Sequence, residues 1–400
     1  MKHLAIVIFL IVFPILCYAQ QTVYDSIMHD DIQREYVLYI PANYTGNYAF
    51  PLVLNFHGYG SDATEQMNYG DFRSIADSAG FLIVHPQGTL FQGVTHWNVG
   101  GWTVGSTVDD VGFTEALIDS LSYSFNIDPD RIYSTGMSNG GFMSFLLACQ
   151  LSDRITAIAS VTGSMTPETY NNSNPQHPTP ILQMHGTADG LVYYNGTAWS
   201  EPIEDVLQYW VDYNNCNPIP TITALPDIDP NDGSTVELYV YDEGDNGVSV
   251  EHYKVIGGGH TWPGNAYGGA GTNNDIDASV EIWNFFSRYD MNGLITPVGI
   301  EDDFELEVMN CKLNNYPNPF NPTTTISFSI PEIGIVELSV YNIKGQKIRS
   351  LLKDQITAGE HSIVWNGEDA SGNKVSSGVY LYKLIANDKT ELVKKCLLLK

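Results

Sequence analysis

Six short apolar runs punctuate the first part of the chain, at 36–40, 52–56, 81–84, 132–135, 155–161 and 181–184. Each is four to seven residues long, which is short for a helix and suits a strand covered on both faces. Amphipathic stretches at 64–79 and 113–125 lie between them, residues 138–150 follow one run directly, and 279–289 follow the last strand pattern. Strands and helices in alternation predict an α/β architecture, a mainly parallel sheet flanked by helices.

The pattern changes near residue 293. Residues 293–312, with Pro297 and the acidic Glu301-Asp302-Asp303, read as a linker. Beyond it, alternating runs at 325–330, 336–341, 361–365, 379–385 and 393–399 are separated by turn signals at Lys344-Gly345 and Ser371-Gly372-Asn373. That spacing predicts a small all-β sandwich of the immunoglobulin type over 313–400. Charge divides the same way. Residues 20–300 hold 33 Asp and Glu against 6 Lys and Arg, a net of −27, whereas 312–400 hold 8 against 11, a net of +3. The acidic first part would repel polyanions, so nucleic acid is not an expected partner and uncharged substrates fit better.

The first residues form a separate feature. Lys2 and His3 precede an apolar run at 4–16, and Cys17-Tyr18-Ala19 places small residues where a signal peptidase reads. Residues 1–19 are therefore expected to be a secretory signal, cleaved after Ala19. The run is too short to span a bilayer, and no membrane span is expected in the mature protein. Cys149, Cys216, Cys311 and Cys396 remain. Secretion permits disulfides, and pairing within each half (149 with 216, 311 with 396) is one of the connectivities left open. None of the four has metal-ligand spacing. Asp227, Asp229 and Asn231 are spaced like calcium ligands, but Asp232 stands where a turn glycine belongs and Leu238 where a bidentate Glu belongs, so 227–245 reads as a solvated hairpin.

Gly136-Met137-Ser138-Asn139-Gly140 joins the strand at 132–135 to a helical stretch. The bare pattern is weak, but its place between strand and helix is the context in which a tight turn presents a nucleophilic serine. A hydroxyl needs a base, and on such turns the partners follow in the order Ser, acid, His. Of the downstream histidines, His177 lies in a polar loop, His185 ends a buried strand and reads as structural, and His252 lies within a strand pattern. His260 follows Gly257-Gly258-Gly259 on a loop and is the expected base. Asp189, just after the strand at 181–184, is the expected acid. Asp109-Asp110 precede both a helix and Ser138 and are explained by helix capping. The small-residue loop His57-Gly58-Tyr59-Gly60 should supply one oxyanion donor from the Tyr59 N–H, and the Asn139 N–H the second.

Together these stretches resemble the secreted esterase family of polyhydroxybutyrate depolymerases, feruloyl esterases and acetylxylan esterases, built on the α/β-hydrolase fold. The resemblance runs over about residues 30–290 through Asn55-Phe56-His57-Gly58, His96-Trp97-Asn98, Asp109-Asp110-Val111-Gly112-Phe113, the Ser138 turn, His185-Gly186-Thr187-Ala188-Asp189 and Gly258-Gly259-His260-Thr261-Trp262-Pro263-Gly264. Gly58 is followed by Tyr59-Gly60-Ser61, where the family usually carries Cys-Gly-Gly or Gly-Gly. The resemblance implies an esterase domain over 20–292 with Ser138, Asp189 and His260 as a triad, no cofactor, and substrate flanked by Trp97, Asn98 and Trp262. Trp102, Tyr193 and Tyr194 fall on loops near the same positions and are expected on an open aromatic surface for polymer. The expected substrate is an uncharged ester of a polymer, a feruloyl or acetyl ester of plant polysaccharide or polyhydroxybutyrate. A peptidase or acyltransferase using the same triad is the alternative; a binding protein on a dead hydrolase fold is disfavoured by the complete set.

Residues 313–400 are similar to the sorting domain of the type IX secretion system, through Tyr316-Pro317-Asn318-Pro319-Phe320-Asn321-Pro322, Val340-Tyr341-Asn342, Gly345-Gln346 and Ser377-Gly378-Val379-Tyr380. That likeness implies a secretion-machinery partner and export through the periplasm to the exterior or the cell surface.

Overall fold

The computed structural model describes residues 20–295 and 313–398, apart from 317–319, 321, 331–332, 343–345, 377 and 387–389. The expected leader, Cys311 and most of the expected linker lie outside the described residues. The chain divides into two compact units, 1–297 and 298–400.

In chain order the first unit forms β1 (Gln21–His29), β2 (Ile32–Ile40), β3 (Phe50–Phe56), α1 (Ala63–Tyr69), α2 (Arg73–Ala79), β4 (Leu82–Pro86) and a separate hairpin, β5 (Thr89–Phe91) with β6 (Val94–His96). It continues with α3 (Asp110–Ser124), β7 (Ile127–Met137), α4 (Asn139–Gln150), β8 (Ala157–Val161), α5 (Pro167–Asn171), β9 (Ile181–Gly186) and α6 (Ile203–Tyr213). It closes with β10 (Thr221–Ala224), β11 (Thr235–Tyr241), β12 (Val250–Ile256), α7 (Ala278–Phe286), β13 (Tyr289–Asp290) and β14 (Gly293–Leu294). Ten strands make one sheet in the order β1-β2-β4-β3-β7-β8-β9-β12-β11-β10. From β4 to β12 neighbours run parallel; the pairs at either edge are antiparallel. This is the α/β-hydrolase fold.

The short apolar runs are buried strands because both faces of the sheet are covered. On β3, Leu52, Leu54 and Phe56 enter one apolar layer with Phe113, Leu117 and Phe142. Val53 enters the other with Ile83, Tyr133 and Phe286. Alternate residues thus meet different helices, and the strand reads as continuously apolar.

Two expectations change, and one pairing left open is decided. The stretch at 64–79 is two helices, because Gly70 ends α1 directly under Trp262, where a Cβ would lie 3.0 Å from the indole. The first unit continues past residue 292, because β14 pairs with β13 and the Ile295 N–H reaches Arg288 O at 2.8 Å. Cys149 and Cys216 are not paired with each other: both are free buried thiols, Cys149 accepting from Ser173 Oγ at 2.9 Å and Cys216 facing Val248 O. Cys396 is also a free buried thiol.

Among its described residues the second unit is a sandwich of seven strands: β15 (Leu313–Tyr316), β16 (Thr324–Ile330), β17 (Gly334–Asn342), β18 (Lys347–Ile356), β19 (Gly359–Trp365), β20 (Gly378–Ala386) and β21 (Thr390–Leu398). One sheet is β15-β16-β19 and the other β18-β17-β20-β21, closing on Trp365, Tyr382, Ile326, Phe328 and Leu338. It is a small immunoglobulin-like domain.

Candidate active site

The residues of interest leave the sheet at one end. β3 runs into His57-Gly58-Tyr59, β7 into Ser138, β9 into Asp189 and β12 into His260. In a parallel sheet the carboxyl ends of the strands share one edge, so loops distant in sequence meet there.

Ser138 sits between β7 and α4 with φ 54° and ψ −119°, a strained backbone that a non-glycine residue holds only where its surroundings enforce it. They do. Its N–H donates to Val161 O at 2.8 Å, and its carbonyl accepts from Phe142 N at 3.0 Å, inside the helix. The flanking glycines let β3 and α4 pack without side chains between them: a Cβ on Gly140 would overlap the Phe56 carbonyl oxygen, and one on Gly136 would lie 2.6 Å from it.

Asp189 is buried, and each of its carboxylate oxygens has a task. Oδ1 accepts from Leu191 N and Val192 N, both at 2.9 Å, which closes the loop on itself. Oδ2 accepts from His260 Nδ1 at 2.8 Å. A proton on Nδ1 leaves Nε2 of His260 unprotonated and able to take another. His260 and Ser138 line one cleft.

That cleft has a volume of about 790 Å³ and is walled mainly by Tyr59, Tyr69, Trp102, Leu191, Trp199 and Tyr267. Trp102 and Trp199 meet edge to face with ring centres 4.9 Å apart. Among the described residues that line the cleft, Glu65 is the only Asp, Glu, Lys or Arg, its carboxylate accepting from Ser61 Oγ at 2.8 Å.

The turn after β3 is set by His57. Its Nε2 accepts from Gly88 N at 2.9 Å, so Nδ1 carries the proton and donates to Gly58 O at 2.7 Å. Burial lowers the His57 pKa to about 4 and keeps the ring neutral. Gly58 O also accepts from Ser61 N at 3.1 Å. In a trans peptide the following N–H points opposite the carbonyl, which turns the Tyr59 N–H away from His57. Among the described residues that N–H has no partner. Asn139 opens α4, where the first N–H groups lack intrahelical acceptors.

Trp97, Asn98 and Trp262, expected beside substrate, line no part of this cleft. Trp97 is fully buried: its Nε1 donates to His57 O at 2.9 Å, and its backbone exchanges two bonds with the Asn139 side chain, at 2.8 and 3.1 Å. Asn98 is held by Asp110 Oδ2 on its N–H and spends its amide on Val108 O. Trp262 is buried against Phe72, with Nε1 donating to Ser279 Oγ at 3.2 Å. Of the three, Trp97 holds the turn after β3 and the Asn139 side chain from within the core. Of the other expected aromatics, Trp102 lines the cleft, Tyr193 is exposed elsewhere and Tyr194 is buried. Asp109 caps α3, as expected, but Asp110 is a buried ion-pair partner of Arg34 at 2.6 Å.

Residues 108–213 match the phospholipase/carboxylesterase family model. That span holds Ser138 and Asp189 but not His260. Residues 321–390 match the FlgD Ig-like domain. The chain is 29% identical over 280 residues to a bifunctional acetylxylan esterase/xylanase from Neocallimastix patriciarum, covering 70% of this chain and 37% of that one. It is 30% identical over 238 residues to feruloyl esterase B of Piromyces equi, covering 57% and 42%. With feruloyl esterase D of Neurospora crassa it shares 27% identity over 259 residues, covering 64% and 82%. The chain thus spans less than half the length of the first two relatives. Among solved structures, an acetyl xylan esterase from Aspergillus awamori superposes with a TM-score of 0.49 at 13% identity, over 68% of this chain and 99% of that one.

Proposed function

We propose that the chain is a serine carboxylesterase in which Ser138 attacks the ester, His260 is the general base and then the general acid, and Asp189 orients His260. The carrying observation is the 2.8 Å bond from His260 Nδ1 to buried Asp189, in the same cleft as a serine held at positive φ. Ser138 Oγ passes its proton to His260 Nε2 as it bonds to the acyl carbon, and the oxyanion rests on the N–H groups of Tyr59 and Asn139. His260 returns the proton to the leaving alcohol, and water repeats the sequence to release the acid. No cofactor is required by these steps.

The substrate is an uncharged ester of a polymer or its fragments, with feruloyl or acetyl esters of plant polysaccharide favoured over polyhydroxybutyrate. The acetylxylan and feruloyl esterase activities of the relatives support this. So does a cleft whose wall is mainly aromatic and aliphatic, with Glu65 disfavouring an anionic acyl group. Residues 313–400 serve as a type IX sorting module, and the enzyme acts outside the cell or on its surface. The immunoglobulin-like sandwich supports the fold of such a module, and deleting it in the native host tests the export role: truncated enzyme should remain in the periplasm.

For the catalytic reading, Ser138→Ala is assayed on a panel of methyl ferulate, acetylated xylan, short nitrophenyl esters and polyhydroxybutyrate. Loss on the order of a millionfold is expected with the fold retained. Near-normal turnover by folded Ser138→Ala overturns it. Matched ester and amide substrates separate it from a peptidase.

A further inference from the structure

His185 is the penultimate residue of β9, is fully buried, and does not itself line the cleft. Its proton can be located from its neighbours. The Gln183 amide nitrogen lies 2.8 Å from Gly163 O, which can only accept, so that atom is the NH₂ group and not the amide oxygen. The same NH₂ stands 3.1 Å from His185 Nδ1, which must therefore accept. The ring proton is left on Nε2, where Val192 O accepts it at 2.8 Å. Burial holds the His185 pKa below the ordinary imidazole value, so the ring carries that single proton.

Val192 is thereby clamped at both ends: its carbonyl by His185 and its N–H by Asp189 Oδ1. His185 Nε2 also stands 3.4 Å from Asp189 Oδ2, the oxygen that holds His260. A nitrogen bearing a proton there presents its N–H side to the carboxylate; an unprotonated one would set a lone pair against it. We propose that His185, locked in one tautomer by Gln183, is a positioning residue that sets the 189–192 loop and the carboxylate of Asp189, and through it the orientation of His260. This rests on the reading of Asp189 as the triad acid.

The test uses the full chain, nitrophenyl acetate and a fluorophosphonate serine probe. His185→Leu removes the donor, His185→Gln keeps an N–H able to reach Val192 O, and Gln183→Glu puts a carboxyl group against Nδ1 in place of the amide NH₂ and so removes the donor that fixes the tautomer. His185→Leu and Gln183→Glu should lose on the order of a hundredfold in kcat, the scale of a small misplacement of a reacting group, with KM changed less than about fivefold. Serine labelling should slow in parallel, and His185→Gln should recover most of the loss. Folded His185→Leu and Gln183→Glu with kcat within about twofold of the parent, or a loss confined to KM, overturn the proposal. If His185→Leu does not fold, His185→Gln against Gln183→Glu decides: equal kcat in the two refutes it. Ser138→Ala run alongside keeps the two ideas apart, since its retained turnover would overturn the triad, whereas a dead Ser138→Ala beside fully active His185 and Gln183 variants overturns only the positioning role.

Discussion

Asp110→Asn should destabilise the first unit strongly while leaving the chemistry in place. The Asp110 carboxylate is closed off from solvent, with Oδ1 2.6 Å from Arg34 Nη2 and Oδ2 2.7 Å from Asn98 N. Arg34 is equally buried. Without the carboxylate, the guanidinium keeps only the Phe113 face, 3.8 Å away, and a long 3.5 Å bond to Gln87 O. Among the described residues its Nε and Nη1 have no hydrogen-bond partner already. Asparagine removes the negative charge and must also aim its NH₂ at one of two donors. Breaking a buried pair from one side costs about 3–5 kcal/mol. For a unit of this size each kcal/mol moves Tm by about 2–4 °C, so a fall on the order of 10 °C is expected in a thermal melt followed by circular dichroism. Folded Asp110→Asn should keep kcat on nitrophenyl acetate within about an order of magnitude, whereas Asp189→Asn should lose about ten-thousandfold at nearly unchanged Tm. Arg34→Met with Asp110→Asn should be more stable than Asp110→Asn alone, because no buried cation is left unpaired. An unchanged Tm for Asp110→Asn refutes the reasoning. So does a fully folded but dead Asp110→Asn enzyme, which would make Asp110 the triad acid.

Trp262→Ala should cost about 3–5 kcal/mol of stability as a buried large-to-small change and lower rates on bulky and acetyl esters alike. Trp102→Ala should instead lower kcat/KM for aryl-acyl esters more than for acetate, and the reverse pattern would exchange their roles. Burial holds His57 near pKa 4 and His85 near 3. Both stay neutral in the fold while the unfolded chain takes up protons below 6.5. Their contribution is therefore complete above pH 6.5 and is lost as pH falls through about 4. At about 0.5 M salt, where general repulsion is screened, Tm should drop between pH 7 and pH 4.5, and a flat or rising Tm contradicts this. The chain cut after Ile295 should hydrolyse nitrophenyl acetate at the full-length kcat, and a large loss would show that the second unit contributes to catalysis.

Much of the fold was legible. The runs at 52–56 and 181–184 became β3 and β9 because a strand covered on both faces has no polar side to show. Strands with one exposed face were harder. β18 was not foreseen: Lys347, Arg349, Lys353 and Asp354 break its alternation, since it is the edge strand of its sheet and its outer positions meet solvent. The edge strand β10, exposed along its length, was missed for the same reason. The break between α1 and α2 falls at Gly70, and the Trp262 indole that crowds a Cβ there lies about 190 residues further on.

The residues proposed to carry the chemistry are ones that the chain signals locally. A serine between glycines at a strand-to-helix junction, an acid after a late strand and a histidine after three glycines are local features, and local backbone sterics make them readable. What each surrounding side chain faces was decided only by the tertiary structure. Trp262, two residues from His260 in the chain, turns inward and is buried, as is Trp97, while Tyr69, Trp199 and Tyr267 arrive from separate elements to wall the cleft. Gln183 and His185 read as ordinary buried strand residues until Gly163, Val192 and Asp189 are brought around them. Hydrogen bonds reach about 3 Å in space, and nothing in the spacing of residues along a chain records which groups, tens of residues apart, will meet at that distance.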